Sequence, residues 1–337
     1  MSNTQLQIRP ATVADAAVMV TILHAAFEEY RGKLDPPSGA HRETLESVLN
    51  LLAHEHGLLA LCDGRAVGCV FFDVRPDELY LHRLAVLPEF RRQGISKAFV
   101  DAVEAHAKEL GKAKVTLIVR VALPQNRAYY EKLGYAITEF DFHEGYTQFT
   151  SVSMAKILDA PNIRNVEVVP YNPEWPAQFA AEAALLRRVF GNQLLTIHHI
   201  GSTAIPGMHA KPIIDMMPIV LDIKRMYAFD PTMLSLGYEA LGEFGLPGRR
   251  YYRKGGHLHR SHHVHVYEAQ HPEFERHLAF RDYMIAHPAE ATIYSELKQQ
   301  LAHQHPHDIY AYMDGKDGLI KEMEAKALVW WRAAKQG

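Results

Sequence analysis

Residues 79–111 join a hydrophobic run, a basic turn and an amphipathic segment, an arrangement able to hold a phosphorylated cofactor. The run predicts a buried strand that ends at Pro88, because proline lacks the N–H that a continuing ladder needs. Apolar residues at helical spacing predict a helix from Ile95, which places the turn Arg91–Ser96 at its N-terminus. Unpaired N–H groups and the helix dipole bind phosphate oxygens there, and Gly94 lets the backbone approach closely.

The local pattern is equally compatible with an ordinary strand-turn-helix whose arginines face solvent. A second pattern follows it in the chain. The β-branched run Val115–Val119 predicts another strand, and Asn126–Leu133 predicts a short helix closed by Gly134. Together the two patterns resemble the GNAT acyltransferase superfamily, whose pyrophosphate loop reads Arg/Gln-x-x-Gly-x-Gly/Ala.

The resemblance rests on Arg91 and Gly94 in the loop, while Ser96 stands where the family usually has Gly or Ala. It covers roughly residues 5 to 157 and implies a mixed-sheet fold that uses acetyl-CoA to acetylate an amine. It also implies a bulge around Leu84–Val86 that frees backbone amides for the cofactor. The implied cofactor-binding residues are Leu84, Ala85, Val86, Arg91, Arg92, Gln93, Gly94, Ile95, Ser96 and Asn126.

Two side chains are candidates for catalysis in this half. Tyr130 lies where many family members place a tyrosine that protonates the departing thiolate, and the alternative is an aromatic residue packing on the sheet. Tyr129 is its neighbour. His82 on the central strand is a candidate general base, although a structural histidine with a water chain as base is the alternative. Glutamates after the first helix, at 28 and 29, would suit a cationic acceptor or simply form a solvated face.

The second half contains His198–Asp215, a segment that resembles the GrpB family and its nucleotidyltransferase-like fold. By that resemblance, the Gly201-Ser202 turn would hold phosphates and Asp215 would be an acidic metal ligand. Met217 stands at the second acidic position, and a thioether has little affinity for a hard cation, which argues against ordinary two-metal transfer.

Five histidines lie close together in the sequence, at positions 257, 259, 262, 263 and 265. Such dense spacing is typical of a metal site, and equally of a polar loop that enters a strand. His263 and His265 share one strand face and could replace a carboxylate as metal ligands. The identity of the metal therefore stays open. Five further residues add cationic groups near the presumed turn and could bind a phosphorylated ligand without performing chemistry: Lys211, Arg249, Arg250, Arg253 and Lys254. We therefore expect this half to bind a phosphorylated ligand through Gly201, Ser202, Lys211, Asp215, His263 and His265.

Composition and charge argue against a nucleic-acid-binding protein and against a membrane protein. The 337 residues carry a net charge of −3 and a pI near 6.7, which gives no reason to expect nucleic-acid binding. No apolar run approaches the roughly 20 residues of a membrane span, and we predict no membrane association. An Asp63-Gly64 hairpin would place Cys62 opposite Arg65 and Cys69 opposite Leu58, too far apart to bond. Reduced cysteines favour a cytoplasmic location.

The chain therefore predicts an α/β (α+β) protein with two domains. Residues 1–157 form the GNAT domain, 158–165 a linker, and 166–337 a GrpB-like domain with C-terminal helices. The predicted activity is acetyl-CoA-dependent N-acetylation of a primary amine, on a small molecule rather than a protein. The alternatives are a bifunctional acetyl and nucleotidyl transferase, or a non-catalytic CoA- or nucleotide-sensing module. The acceptor and the oligomeric state stay open.

Overall fold

The computed structural model of the protein describes residues 5–158, 166–256 and 260–335. The predicted linker at 158–165 lies, apart from its first residue, outside this description, as do His257 and His259. Contacts divide the described chain into two compact units, residues 5–129 with 137–158 and residues 130–136 with 166–335. The predicted domain limits stay predictions.

Each unit mixes helices with a mixed sheet, as the α/β (α+β) prediction required. No helix among the described residues is both long and apolar enough to span a bilayer.

The first unit contains a seven-stranded sheet in the order β1-β2-β3-β4-β5-β7-β6, in which β4 and β5 are parallel. Its strands are β1 Leu6–Pro10, β2 His56–Cys62, β3 Arg65–Val74, β4 Glu78–Val86, β5 Lys114–Arg120, β6 Ala136–Asp141 and β7 Ser151–Ile157. Its helices are α1 Ala16–Phe27, α2 Leu45–His54 and α3 Ile95–Glu109, and α4 Pro124–Lys132 begins in this unit.

Helices α1 and α3 cover opposite faces of this sheet. Cys69 on β3 packs in a cluster with Met19 and Leu23 of α1, whereas the adjacent Gly68 faces Phe99 of α3. The apolar stripe predicted for α3 is buried at Ile95, Phe99, Val103 and Ala107. Packing on this face of the sheet thus holds α3 in place, and with it the basic turn at its N-terminus.

The hairpin between β2 and β3 turns at Asp63 and Gly64, both with positive φ, and sets Cys62 opposite Arg65 as predicted. An irregularity at Ala60/Leu61 shifts the register, so Cys69 lies opposite Leu59 rather than Leu58. Both cysteines are free thiols.

The second unit contains a five-stranded sheet in the order β10-β11-β12-β9-β8, with β9 and β12 parallel. Its strands are β8 Leu194–Ile200, β9 Ile214–Val220, β10 Tyr238–Ala240, β11 Arg250–Lys254 and β12 His262–Glu268. Its helices are α5 Trp175–Phe190, α6 Asp230–Ser235, α7 Pro272–Ala286, α8 Pro288–Gln304 and α9 Ile309–Ala334.

Helices α7, α8 and α9 form the predicted C-terminal helical layer. Helix α9 begins at Ile309, where the Asp308 side chain caps the first turn. Apolar side chains join this layer to the sheet and to the segment after β8, including Met217 with Leu278, and Ile205 with Met284. These contacts hold the loop that follows β8 against the helices.

Candidate functional site

The turn before α3 presents the backbone geometry that a phosphate site requires. Gly94 is the N-cap of α3 with φ of 83°, and among the described residues no side chain caps this end. Arg92 also has a positive φ, of 60°. A Cβ built on Gly94 would meet no atom within 4 Å, so open space lies beside the turn. Uncapped N–H groups with open space before them can receive an anion.

Arg91 holds this turn in place with its side chain. Its guanidinium donates to the carbonyl of Ala26 at 2.7 Å, to the carbonyl of Val86 at 3.3 Å and to Glu29 at 2.5 Å. These partners use all three of its nitrogens. The Arg91 side chain thus holds the turn, and its predicted contact with phosphate stays a prediction. The neighbouring Arg92 is exposed and can also add positive charge.

Strands β4 and β5 separate next to this turn. They pair only from Glu78 to Leu81 on β4 and from Lys114 to Leu117 on β5, although both strands continue further. A bulge in β4 lies at Arg83 and Leu84, where the pairing with β3 shifts and Arg83 has a φ of 51°. Ala85 and Val86 follow the bulge, in the part of β4 that does not pair with β5. The predicted bulge is present, and it begins one residue before the predicted position.

Both ring nitrogens of His82 contact neighbouring side chains. Its Nδ1 is 2.7 Å from a guanidinium nitrogen of Arg83, which can only donate, and its Nε2 is 2.6 Å from a carboxylate oxygen of Glu55. Burial lowers the pKa of His82, so the neutral ring gives its one N–H to Glu55. The Nδ1 lone pair is engaged by Arg83, so a base role requires this guanidinium to move away, and the assignment of the base to His82 stays a prediction.

The glutamates predicted to attract a cationic acceptor are both paired with arginines. Glu28 accepts from Arg31 at 2.8 Å, and Glu29 accepts from Arg91. The side chain of Asn126, a predicted cofactor-binding residue, hydrogen-bonds to the Tyr30 hydroxyl. This bond links the start of α4 to the segment after α1.

Tyr129 and Tyr130 lie on α4, and Tyr130 shares a helix face with Asn126, four residues earlier. The Tyr130 ring meets the Tyr135 ring edge to face, with centroids 5.7 Å apart. Burial raises the pKa of Tyr129 to about 12, which makes that phenol a poor proton donor. The assignment of the acid to Tyr130 stays a prediction.

The second unit brings an aspartate and two histidines of the predicted site together. Parallel pairing of β9 with β12 sets His263 beside Asp215, and alternation puts His265 on the same face. Asp215 Oδ1 is 3.1 Å from His263 Nδ1 and 3.7 Å from His265 Nε2. Burial opposes ionisation of Asp215, but the bonds from both histidines keep the pKa of this carboxyl well below its usual range.

The predicted Gly201-Ser202 turn packs directly on Asp215. Gly201 has a φ of 70°, and a Cβ there would lie 2.5 Å from the Oδ2 atom of Asp215. Only glycine fits this position without displacing the carboxylate. The turn and Asp215 line a cavity of about 290 Å³ together with His263 and the helices α7, α8 and α9.

Three lysines line this cavity: Lys211, Lys298 and Lys316. Lys298 donates to Ser202 Oγ at 2.9 Å and to the carbonyl of His209 at 2.5 Å. Burial, followed by the charges of Lys316 and Lys211, lowers the pKa of Lys298 to about 7. Burial also lowers the pKa of Lys316. A cavity crowded with cations is suited to an anion.

Most of the cations predicted from sequence proximity serve elsewhere. Arg250 is buried against Asp230, Arg253 pairs with Glu239, and Lys254 pairs with Glu182 at 2.9 Å. Arg249 donates to the carbonyls at positions 243 and 244. These four side chains do not line the cavity. Arg250, Arg253 and Lys254 find these partners on other segments of the fold, which sequence distance cannot reveal.

Lys298 and Lys316 are the residues missed as ligand candidates. They lie on α8 and α9, 96 and 114 positions after Ser202, yet both line its cavity. The sequence did contain a signal for them, because both lysines lie in the part of the chain that resembles the GrpB family.

Two protein families match different parts of the chain. The family described as Acetyltransferase (GNAT) family matches residues 19–135, and the family described as GrpB protein matches residues 165–326. Among curated proteins, the UPF0157 protein YqkA of Bacillus subtilis is 39% identical over 271 residues, which cover 80% of this chain and 76% of that protein.

Solved structures match each half separately. Conserved protein GrpB from Enterococcus faecalis is 46% identical, with a TM-score of 0.48, and the match covers 49% of this chain and 99% of that one. The PaiA N-acetyltransferase from Thermoplasma acidophilum, solved in complex with coenzyme A, is 18% identical, with a TM-score of 0.39. That match covers 45% of this chain and 99% of the acetyltransferase.

Proposed function

Because the chain belongs to the UPF0157 (GrpB) family and carries a GNAT acetyltransferase domain before its GrpB domain, we propose that it acetylates a primary amine of a small molecule with acetyl-CoA. The observation that carries this proposal is the separation of β4 from β5 beside the uncapped start of α3. Unpaired strand edges can bind an extended polyamide such as pantetheine, and the helix N-terminus can bind its pyrophosphate.

The proposed reaction uses the backbone for the thioester and one side chain for the leaving group. Backbone N–H groups of the separated stretch at Leu84–Val86 would stabilise the negative charge that develops on the thioester oxygen. The amine nitrogen attacks the carbonyl carbon, the C–S bond breaks, and Tyr130 gives its proton to the thiolate. The proton released by the new amide passes to water. Tyr130 then recovers a proton from solvent.

The test is release of free CoA thiol from acetyl-CoA by the full-length protein, across a panel of small-molecule primary amines. We expect turnover with at least one amine. Tyr130→Phe should lower kcat by about 100-fold or more, as loss of a general acid does, with acetyl-CoA binding retained. The matched control Tyr129→Phe should keep turnover. Binding of acetyl-CoA without turnover on any amine would replace this proposal with a sensing role.

A second observation favours a ligand for the GrpB domain. The three lysines of the cavity, with the Ser202 turn, support binding of a phosphorylated ligand. Two of these lysines lie over the ring of Tyr312: the Nζ atoms of Lys211 and Lys316 are 5.3 Å and 5.6 Å from its centroid. The Tyr312 ring can therefore orient both ammonium groups.

Calorimetric titration with inorganic pyrophosphate tests this second function. Lys316→Met should weaken binding at least tenfold, because it removes a charge from a half-enclosed cavity. The matched control is Lys321→Met, on the same helix but exposed and paired with Asp317. Equal affinities of the two variants would remove the cavity as the anion site.

A further inference from the structure

We propose that Asp215, His263 and His265 form a binding site for a divalent transition-metal ion, with Zn²⁺ and Co²⁺ as suitable probes. The three side chains each offer one ligand atom, and these atoms lie within 4.8 Å of one another. Two imidazoles and one carboxylate are a donor set that transition metals prefer over Mg²⁺ or Ca²⁺.

The distances fit one coordination sphere. Ligand atoms bound to the same metal at about 2.1 Å are separated by about 3.0 Å in an octahedron and about 3.4 Å in a tetrahedron. Asp215 Oδ1 is 3.1 Å from His263 Nδ1 and 3.7 Å from His265 Nε2. Side-chain movements of a few tenths of an ångström would complete the arrangement.

The fold supplies this arrangement from rigid elements. Asp215 and His263 are register partners in the centre of the sheet, and His265 follows on the same face. Tyr251 lies beside both imidazoles, with ring centroids 5.7 Å from His263 and 5.0 Å from His265. Strand positions hold ligand geometry more precisely than loops do.

His263 is incompletely satisfied by the protein. Its Nδ1 contacts Asp215, but its Nε2 is buried and has no hydrogen-bond partner among the described residues. The metal would bind at Nδ1, the atom that lies 3.1 Å from Asp215 Oδ1, so Nε2 keeps the ring proton and donates it to a group other than the metal.

Three protein ligands leave coordination positions that can face the cavity, because Asp215 and His263 line it. A phosphate oxygen could occupy such a position while the lysines neutralise the remaining charge. This last step rests on the proposed phosphate binding, whereas the metal site itself does not.

The test is equilibrium binding of Co²⁺ to full-length, tag-free protein, followed by its visible absorption and displaced by Zn²⁺. The chain has 21 histidines, so weak additional binding is expected, and the decisive quantity is one tight equivalent per chain. His265→Ala and Asp215→Asn should lose that equivalent, or weaken it at least 100-fold. His262→Ala should retain it, because His262 lies on the same strand but points to the opposite face.

Circular dichroism of each variant identifies any loss caused by unfolding, and His265→Asn provides a milder second change. Absence of the tight equivalent in the unchanged protein, or its retention in folded His265→Ala and His265→Asn, would overturn the metal site. Pyrophosphate titration without metal separates the two proposals. Pyrophosphate binding without a metal equivalent removes only the metal site, and a metal equivalent without pyrophosphate binding removes only the phosphate function.

Discussion

The anion sites that we propose in the two units are built in opposite ways. The turn before α3 offers backbone N–H groups, and its Arg91 is already held by Glu29 and two carbonyls. The cavity of the second unit offers side chains, with three lysines gathered from distant segments. A backbone site depends on local conformation, and a side-chain site depends on the tertiary fold.

A positive φ at glycine serves both sites, but for different reasons. At Gly94 it shapes a turn that faces open space, so the demand on glycine is conformational. At Gly201 the φ is also positive, and the backbone packs against the Asp215 carboxylate. A side chain at this position is therefore excluded by steric clash as well as by backbone conformation. Substituting both glycines therefore compares the two sites directly.

Gly201→Ala should have the largest effect. The added methyl group must displace Asp215, and the positive φ adds about 1–2 kcal/mol of strain. We expect loss of the tight metal equivalent and at least 100-fold weaker pyrophosphate binding. Co²⁺ absorption and calorimetric titration measure both, and wild-type values in a folded variant would show that the turn does not position Asp215.

Lys298→Met should weaken anion binding at neutral pH by about tenfold and change its pH dependence. Because burial, Lys316 and Lys211 lower the pKa of Lys298 to about 7, this lysine is mostly charged at pH 6 and mostly neutral at pH 8. Pyrophosphate affinity should therefore rise as pH falls from 8 to 6, and the rise should be smaller in the variant.

Titrations of both proteins at several pH values measure this prediction. Pyrophosphate itself takes up protons in this range, but that contribution is common to both proteins and cancels in their difference. Identical pH profiles would show that Lys298 only ties Ser202 to the His209 carbonyl.

The same contrast explains how much of the fold and site could be predicted. The strand, turn and helix around Gly94 were correct in position because every determinant lies between residues 78 and 109. The face of His263 and His265 was also predictable, since strand alternation is a local rule. Their approach to Asp215 required the parallel register of β9 and β12, which no local pattern contains.

The partners of charged side chains could not be predicted for the same reason. Sequence could not show that the Arg83 guanidinium lies against the His82 ring. Arg250 and Lys254 were named as cations that could bind a phosphorylated ligand, yet each has a carboxylate partner elsewhere. Charged side chains find partners through tertiary contacts, so their sequence neighbours are poor guides to their role.

Gly94→Ala should have an intermediate effect, confined to the first unit. Alanine pays about 1–2 kcal/mol at this positive φ but meets no neighbouring atom, so the protein should stay folded. Acetyl-CoA affinity should fall about tenfold, because the turn relaxes away from the geometry that exposes its N–H groups. Binding of acetyl-CoA by calorimetry measures this, and pyrophosphate binding in the second unit should be unaffected.

Arg91→Ala should have the smallest effect and shows whether a side chain matters at the backbone site. The Glu29 pair is partly exposed and contributes little, whereas the bond to the Ala26 carbonyl is short. A loss of about 1 kcal/mol would weaken acetyl-CoA binding about fivefold, with kcat at saturation unchanged. Arg31→Ala, which removes a similar exposed pair away from the turn, is the control. A drop much larger than tenfold for Arg91 would mean that its guanidinium leaves Glu29 and binds the cofactor directly, and the first site would then resemble the second.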